Sequence, residues 1–201
     1  MVEINRQTVN IFPCLILPNV NLLPWQIENE PLLDFGICQR LDTQFLKAEA
    51  DLVRSQDQRT IILTDSGELN DWIEPMRLAD KMGTTMYRKV WNAKFGYLYY
   101  PLPPLFYSLK EEVVKRLFQT KAKEVFIAEL QAEPWPPGKP LRYLSIADQL
   151  KIFSLKDLHN SVTFAQKTGF KEQYLWGVEW WYFMKIQGHS EYWDYAKSLF
   201  K

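Results

Sequence analysis

The sequence predicts an α/β fold with a parallel sheet, and three observations carry that expectation. Short, nearly continuous apolar runs alternate with longer stretches of helical period, and a strand buried on both faces reads as such a run. The chain has 201 residues and is 47% hydrophobic, enough for one compact core. No low-complexity linker, charge block or shift in composition divides it. One domain over residues 1–201 is expected, with residues 1–21 an irregular N-terminal segment.

That first segment reads poorly as structure. Val9–Pro18 is apolar, but Pro13 and Pro18 interrupt it. Arg6 precedes it and no small-residue cleavage site follows, so it is a weak secretory signal. Its expected role is to cover what the rest of the fold leaves exposed.

From residue 22 the apolar runs are Leu22–Ile27, Thr60–Thr64, Gly83–Tyr87, Val125–Ala128 and Tyr174–Val178. Helical segments lie between them. Leu41, Phe45, Ala48 and Leu52 recur at one-face spacing, as do Leu105, Leu109, Val113 and Leu117. Leu155, Leu158, Val162 and Ala165 form a third stripe, opened by a Ser154-x-x-Asp157 capping pattern and stopped by Gly169. Glu191–Lys201 closes the chain as a last helix. Alternation of this kind means parallel strands joined by helical crossovers, in about five units.

Composition removes several classes of function. Twenty-four basic and 24 acidic residues cancel to zero net charge, so the excess of Lys and Arg that nucleic-acid binding needs is missing. No apolar run is long enough to span a membrane. Cys14 and Cys38 are too few for a disulfide framework or a four-ligand zinc site, so neither metal nor cofactor is expected. With only His159 and His189 as histidines, acid–base chemistry falls mainly on carboxylates. Aromatic residues make up 15% of the chain, including 8 Trp and 10 Tyr. Much of that serves a core, but Trp and Tyr beside carboxylates also suit the apolar C–H faces of sugar rings.

In parallel α/β sheets, functional groups gather at the carboxyl ends of the strands. Those ends are polar here. The first runs into Glu28-Asn29-Glu30-Pro31, the second into Asp65-Ser66-Gly67-Glu68, and the third into Tyr87-Arg88. The fourth ends at Glu129, and the fifth carries Trp176 and then Glu179-Trp180-Trp181. One acidic strand end is an ordinary helix N-cap. Four would crowd carboxylates round one rim, at a cost in repulsion unless a substrate, a metal or a proton uses them.

Asn29-Glu30-Pro31, following WQIE, resembles the acid/base motif of retaining glycoside hydrolases built on (β/α)8 barrels, a clan in which an Asn-Glu pair closes the fourth strand. VFIAELQAEPW (Val125–Trp135) resembles the seventh-strand segment of the beta-galactosidase-like branch, where the nucleophilic Glu stands in a similar context. YLWGVEWW (Tyr174–Trp181) resembles the eighth strand. The resemblance covers roughly residues 22–182 and implies a partial TIM-type barrel, the equivalents of strands four to eight with their helices.

It also implies roles. Glu30 is the general acid/base, which needs a raised pKa to be protonated when the leaving oxygen departs. Asn29 donates to the sugar 2-hydroxyl, and Glu129 is the nucleophile. Tyr87 hydrogen-bonds Glu129, and Trp176 forms a platform under the sugar. The implied reaction is hydrolysis of β-linked oligo- or polysaccharide with retention, and the implied partner is carbohydrate.

Glu133 competes with Glu129. Four residues of extended chain carry it about 13 Å further on, whereas a retaining pair must approach to about 5–5.5 Å, so Glu129 is preferred. Glu133, Asp65 and Glu179 are read as ligands for sugar hydroxyls.

A barrel of this type needs about 250 residues and eight strand–helix units. Five strands leave two open edges. The first expectation is therefore a fragment lacking an N-terminal half-barrel, and the second a half-barrel covered by residues 1–21 and by self-association. A cytoplasmic location follows if Met1 is the true start, and a secreted one is open if a part precedes it. The alternative function is a carbohydrate-binding or inactive barrel remnant. A divalent-metal enzyme is the weakest reading, because no compact Asp or His cluster accompanies the glutamates.

Overall fold

The computed structural model describes residues 23–35 and 40–200. Residues 1–21 with their expected irregular segment, Leu22, Cys14 and Cys38 lie outside that description. In chain order the strands are β1 (Trp25–Gln26), β2 (Ile61–Ser66), β3 (Lys81–Met86), β4 (Lys89–Asn92), β5 (Gly96–Tyr99), β6 (Val125–Gln131) and β7 (Gln173–Trp176). The helices are α1 (Thr43–Gln56), α2 (Ile73–Leu78), α3 (Pro104–Leu117), α4 (Ile146–Ile152), α5 (Leu155–Gln166), α6 (Val178–Ile186) and α7 (Glu191–Leu199).

The fold is α/β. Five strands form one parallel sheet in the order β1-β2-β3-β6-β7, curled as a half-barrel. Each strand lies beside the one that precedes it in the sheet's chain order, so every crossover winds the same way and stacks its helices on one face. Among the described residues, β1 and β7 are edges. The strands β4 and β5 form an antiparallel hairpin between β3 and α3, which the apolar-run pattern did not foresee.

Alternation along each strand separates the two faces. Ile61 and Leu63 of β2 pack with Ala50 of α1 and with Ala79. Met82 and Met86 of β3 and Ile127 and Leu130 of β6 join the main core with Leu158, Val162 and Trp181. The alternate residues Thr64, Gly83 and Thr85 therefore face the concave side. At Gly83 a Cβ would lie 2.7 Å from Ala128 Cβ and 2.9 Å from Thr64 Cγ2, so the strands pack there with room for hydrogen only.

The expected strands are present, but their ends differ. Glu129 lies inside β6 rather than at its close. The fifth strand stops at Trp176, and Glu179-Trp180-Trp181, read as its continuation, begins α6. Gly177 makes that switch with φ 149°, where a Cβ would sit 2.8 Å from the Ala132 carbonyl oxygen. The same carbonyl accepts a 2.7 Å bond from Trp181 Nε1, which ties the new helix back to the sheet.

Two of the three expected helix stripes face the wrong way. In α1 the buried residues are Leu46 and Ala50, while Phe45 and Leu52 are exposed. In α3 Tyr107 and Val114 are buried, and Leu105, Leu109, Val113 and Leu117 are exposed. The direction of the sheet decides which face turns inward: small Ala50 admits close packing on β2, and Tyr107 reaches a polar partner. The α5 stripe and its capping box are as expected, with Leu158, Val162 and Ala165 buried. The last helix ends at Leu199.

Candidate active site

β1 ends in a tight, strained turn. Glu28 and Glu30 have φ of 58° and 46°, a left-handed conformation that costs a side-chain-bearing residue about 1–3 kcal/mol and persists only where other contacts impose it. Thr64 on the concave face of β2 supplies them. Its Oγ1 accepts from Glu30 N at 2.9 Å and donates to Asn29 Oδ1 at 3.0 Å. Gln26 Nε2 also donates to Asn29 Oδ1, at 3.2 Å. Both bonds use the amide oxygen, so the Asn29 amide keeps its N–H groups for another acceptor.

Glu30 reaches from this turn to β3, where its Oε1 accepts from Thr85 Oγ1 at 2.7 Å. Burial raises its pKa above the ordinary carboxylate value. The Thr85 bond opposes the rise, and the nearby charges of Glu129 and Asp65 add to it. One residue past β3, the Tyr87 hydroxyl donates to Glu129 Oε2 at 2.9 Å. Burial first, then the negative charge and hydrogen bond of Glu129, push the Tyr87 pKa far up, so the phenol keeps its proton and remains a donor.

Glu129 faces this group because β6 is bulged. Thr84 pairs with Ile127 but Thr85 pairs with Glu129, leaving Ala128 as an extra residue. Strict alternation from Ile127, which is buried on the helix side, would send Glu129 to that side too. The bulge shifts the parity, so Leu130 takes the helix side and Glu129 turns to the concave one.

A hollow of about 130 Å³ opens beside these carboxylates, lined by Glu30, Ser66, Glu68, Thr85, Tyr87 and Trp135 among others. Trp135 stands edge-on to Tyr87, with ring centroids 5.3 Å apart and planes at 61°. Neither Trp135 nor the positioning residues Thr64 and Thr85 stood out in the sequence. The available signal was a set of threonines at concave-face parity in otherwise apolar strands.

Other expected site residues fall into different surroundings. Glu133, half-buried after β6, has its pKa raised to about 7 by burial and by the charge of Glu179, against a hydrogen bond from Trp176. Glu133, Trp176 and Glu179 thus form a second group beside the first, and the charge of Glu133 is felt at Tyr87. Tyr87 donates to Glu129 and not to Glu133. Asp65 is not brought to the hollow. It lies on the helix side of β2, accepts from Asn70 Nδ2, and has its pKa raised to about 6 mainly by burial.

The structure also reveals a polar cluster that sequence reasoning passed over. Glu68 accepts from the Tyr107 hydroxyl at 2.6 Å, and burial lifts its pKa to about 7. Lys110 donates to the carbonyls of Gly67, at 2.9 Å, and Asn70, and burial lowers its pKa to about 8. These groups fix the loop after β2 that forms one wall of the hollow.

Among the described residues, no group of three or more His, Cys, Asp or Glu side chains is arranged to hold a metal ion, and no helix is long and apolar enough to cross a membrane. Comparison with family models, with curated proteins and with solved structures gave no match. The reading of the site therefore rests on its geometry and on the motifs that build it.

Proposed function

We propose that the chain is a retaining O-glycoside hydrolase acting on β-linked carbohydrate, or the catalytic half of one, built as the strand-four to strand-eight part of a TIM-type barrel. The observation that carries this reading is that Glu30, its pKa raised by burial and by the nearby charge of Glu129, and Glu129, bonded by Tyr87, turn to one concave face from non-neighbouring strands. Two carboxyl groups in unlike surroundings are what double displacement requires.

In the first step a Glu129 oxygen attacks the anomeric carbon while Glu30 gives its proton to the departing glycosidic oxygen. The bond to the leaving group breaks and a glycosyl ester of Glu129 forms. In the second step Glu30, now a carboxylate, takes a proton from water as that water attacks the same carbon. The ester breaks, the sugar leaves, and Glu30 is protonated again. Asn29 donates to the 2-hydroxyl, a contact that strengthens as positive charge develops on the ring. Tyr87 orients Glu129. Trp135 and Trp176 offer apolar faces, and Glu133 and Glu179 accept from sugar hydroxyls.

Two variants test the assignment with an activated aryl β-glycoside. Glu129→Gly and Glu30→Gln are each expected to abolish turnover, and an active Glu129→Gly protein would remove the nucleophile assignment. The two sheet edges left unpaired among the described residues favour one second reading, a carbohydrate-binding barrel remnant. In that case the protein binds oligosaccharide and releases no product.

A further inference from the structure

We propose that the hollow between the β4–β5 hairpin and α5 is a separate binding site, which takes a small organic monocarboxylate on Arg88 and Ser161. It stands apart from the glycoside reading, since no side chain lines both this hollow and the one beside Glu30. The hairpin creates it. Asp157, which closes the capping box of α5, also holds the hairpin down: Lys89 Nζ donates to Oδ2 at 2.9 Å, and the Tyr99 hydroxyl donates to Oδ1. Beside that clamp lie about 180 Å³ lined by Arg88, Tyr99, Asn160, Ser161 and Phe164. A single water needs about 10–15 Å³ of such space, so the hollow has room for an organic molecule.

Two buried polar groups line it without the partners that burial calls for. Arg88 is only 8% exposed; its guanidinium lies 3.7 Å from the Phe164 ring centroid, and Nη1 donates to the Leu102 carbonyl at 3.1 Å. Among the described residues no carboxylate forms an ion pair with it. The charge of Glu68 reaches Arg88, but the Glu68 carboxyl is bonded to Tyr107 instead. A buried cation without a contacting counter-ion is costly, and a ligand carboxylate removes that cost. Ser161 is 2% exposed, and its hydroxyl has no hydrogen-bond partner among the described residues. Buried hydroxyls are nearly always bonded, so this one is left for a ligand.

The donors select the ligand. A guanidinium presents a planar fork that matches a carboxylate, and stacking on Phe164 fixes its plane. The Ser161 hydroxyl adds a further donor. Lys89 and Asp157 pair with each other, so Arg88 is the one cation among the residues that line the hollow. One positive charge suits a monoanion better than a phosphate dianion. The Tyr99 ring, 40% exposed, offers an apolar flank for the ligand's carbon skeleton.

The full chain, in a buffer free of carboxylates, is titrated by calorimetry with acetate, butyrate and benzoate, with the corresponding neutral amides, and with inorganic phosphate. At least one carboxylate is expected to saturate the protein below about 10 mM, and its amide to bind about tenfold more weakly. Ser161→Ala removes a hydroxyl that bonds nothing in the protein, so the melting temperature should hold while carboxylate affinity falls about threefold or more. Arg88→Lys keeps the charge and loses the fork, and should weaken binding about tenfold. Where Ser161→Ala alters the melt, the amide NMR signals of Ser161 and Phe164 decide: they should move on adding the carboxylate, and unmoved signals overturn the site. No binding by any carboxylate, equal binding of acid and amide, or an affinity that Ser161→Ala leaves untouched also overturns it. Phosphate binding tighter than every carboxylate overturns the monocarboxylate assignment.

Discussion

Tyr87 and Glu129 meet at 2.9 Å although one follows β3 and the other lies within β6, 42 residues later. Adjacent parallel strands bring them to the same level, and the bulge at Ala128 turns the carboxylate toward the phenol.

Tyr87→Phe removes the hydrogen bond and keeps the ring that Trp135 packs against. A hydrogen bond to a charged group contributes about 1.5–3 kcal/mol, so kcat should fall about 10- to 100-fold with a smaller change in KM. Steady-state kinetics on an aryl glycoside checks this, and an unchanged kcat would sever Tyr87 from the chemistry.

Thr85→Val should move the basic limb of the kcat/KM profile to higher pH. The Thr85 hydroxyl favours the charged form of Glu30 and so lowers its pKa. Its loss lets burial and the Glu129 charge raise the pKa further, so Glu30 keeps its proton to higher pH, which a general acid in that position would show as a shifted limb. A limb that moves down or stays fixed contradicts Glu30 as the acid.

Deleting Ala128 removes the bulge but leaves Glu129 directly after Ile127 and still opposite Thr85, on the concave face, so a folded deletion variant should keep turnover. Gly83→Ala attacks the same region by crowding, since its Cβ meets Ala128 and Thr64 at under 3 Å. Overpacking of this kind costs about 1–3 kcal/mol. Thermal melts and turnover measured together distinguish a re-aimed carboxylate from simple unfolding.

Stability should decline between pH 5 and pH 7.5. Glu133 and Glu68 titrate at about 7 and Asp65 at about 6 in the folded chain, well above their ordinary values. Within that window the native state keeps protons the unfolded state has lost, so the free energy of unfolding falls as pH rises through the folded pKa values. Asp57, Asp80 and Asp157 are shifted down and act at lower pH, and Lys110, at about 8, acts above. Glu68→Gln should flatten the slope of melting temperature against pH, and a slope that stays the same would show that Glu68 does not hold its proton.

The sequence by itself determined the α/β class and the five parallel strands, because strands buried on both faces leave continuous apolar runs. The capping box at Ser154 and Asp157 was legible for the same local reason: its bonds span three residues. The Tyr87–Glu129 hydrogen bond was implied only by the family resemblance of the motifs, not by composition or period.

The inward faces of α1 and α3 depended on where the sheet lies, and the stripes richest in leucine turned out to be the exposed ones. The short reach of β7 followed from Gly177 packing on Ala132, a contact between segments 45 residues apart. Trp135, Thr64 and Thr85 entered the site through cross-strand register, and Asp65 left it through strand parity. The bulge in β6 decided which face Glu129 occupies. Local rules carry period and propensity along the chain, but only the packed sheet fixes which side of each element meets a partner.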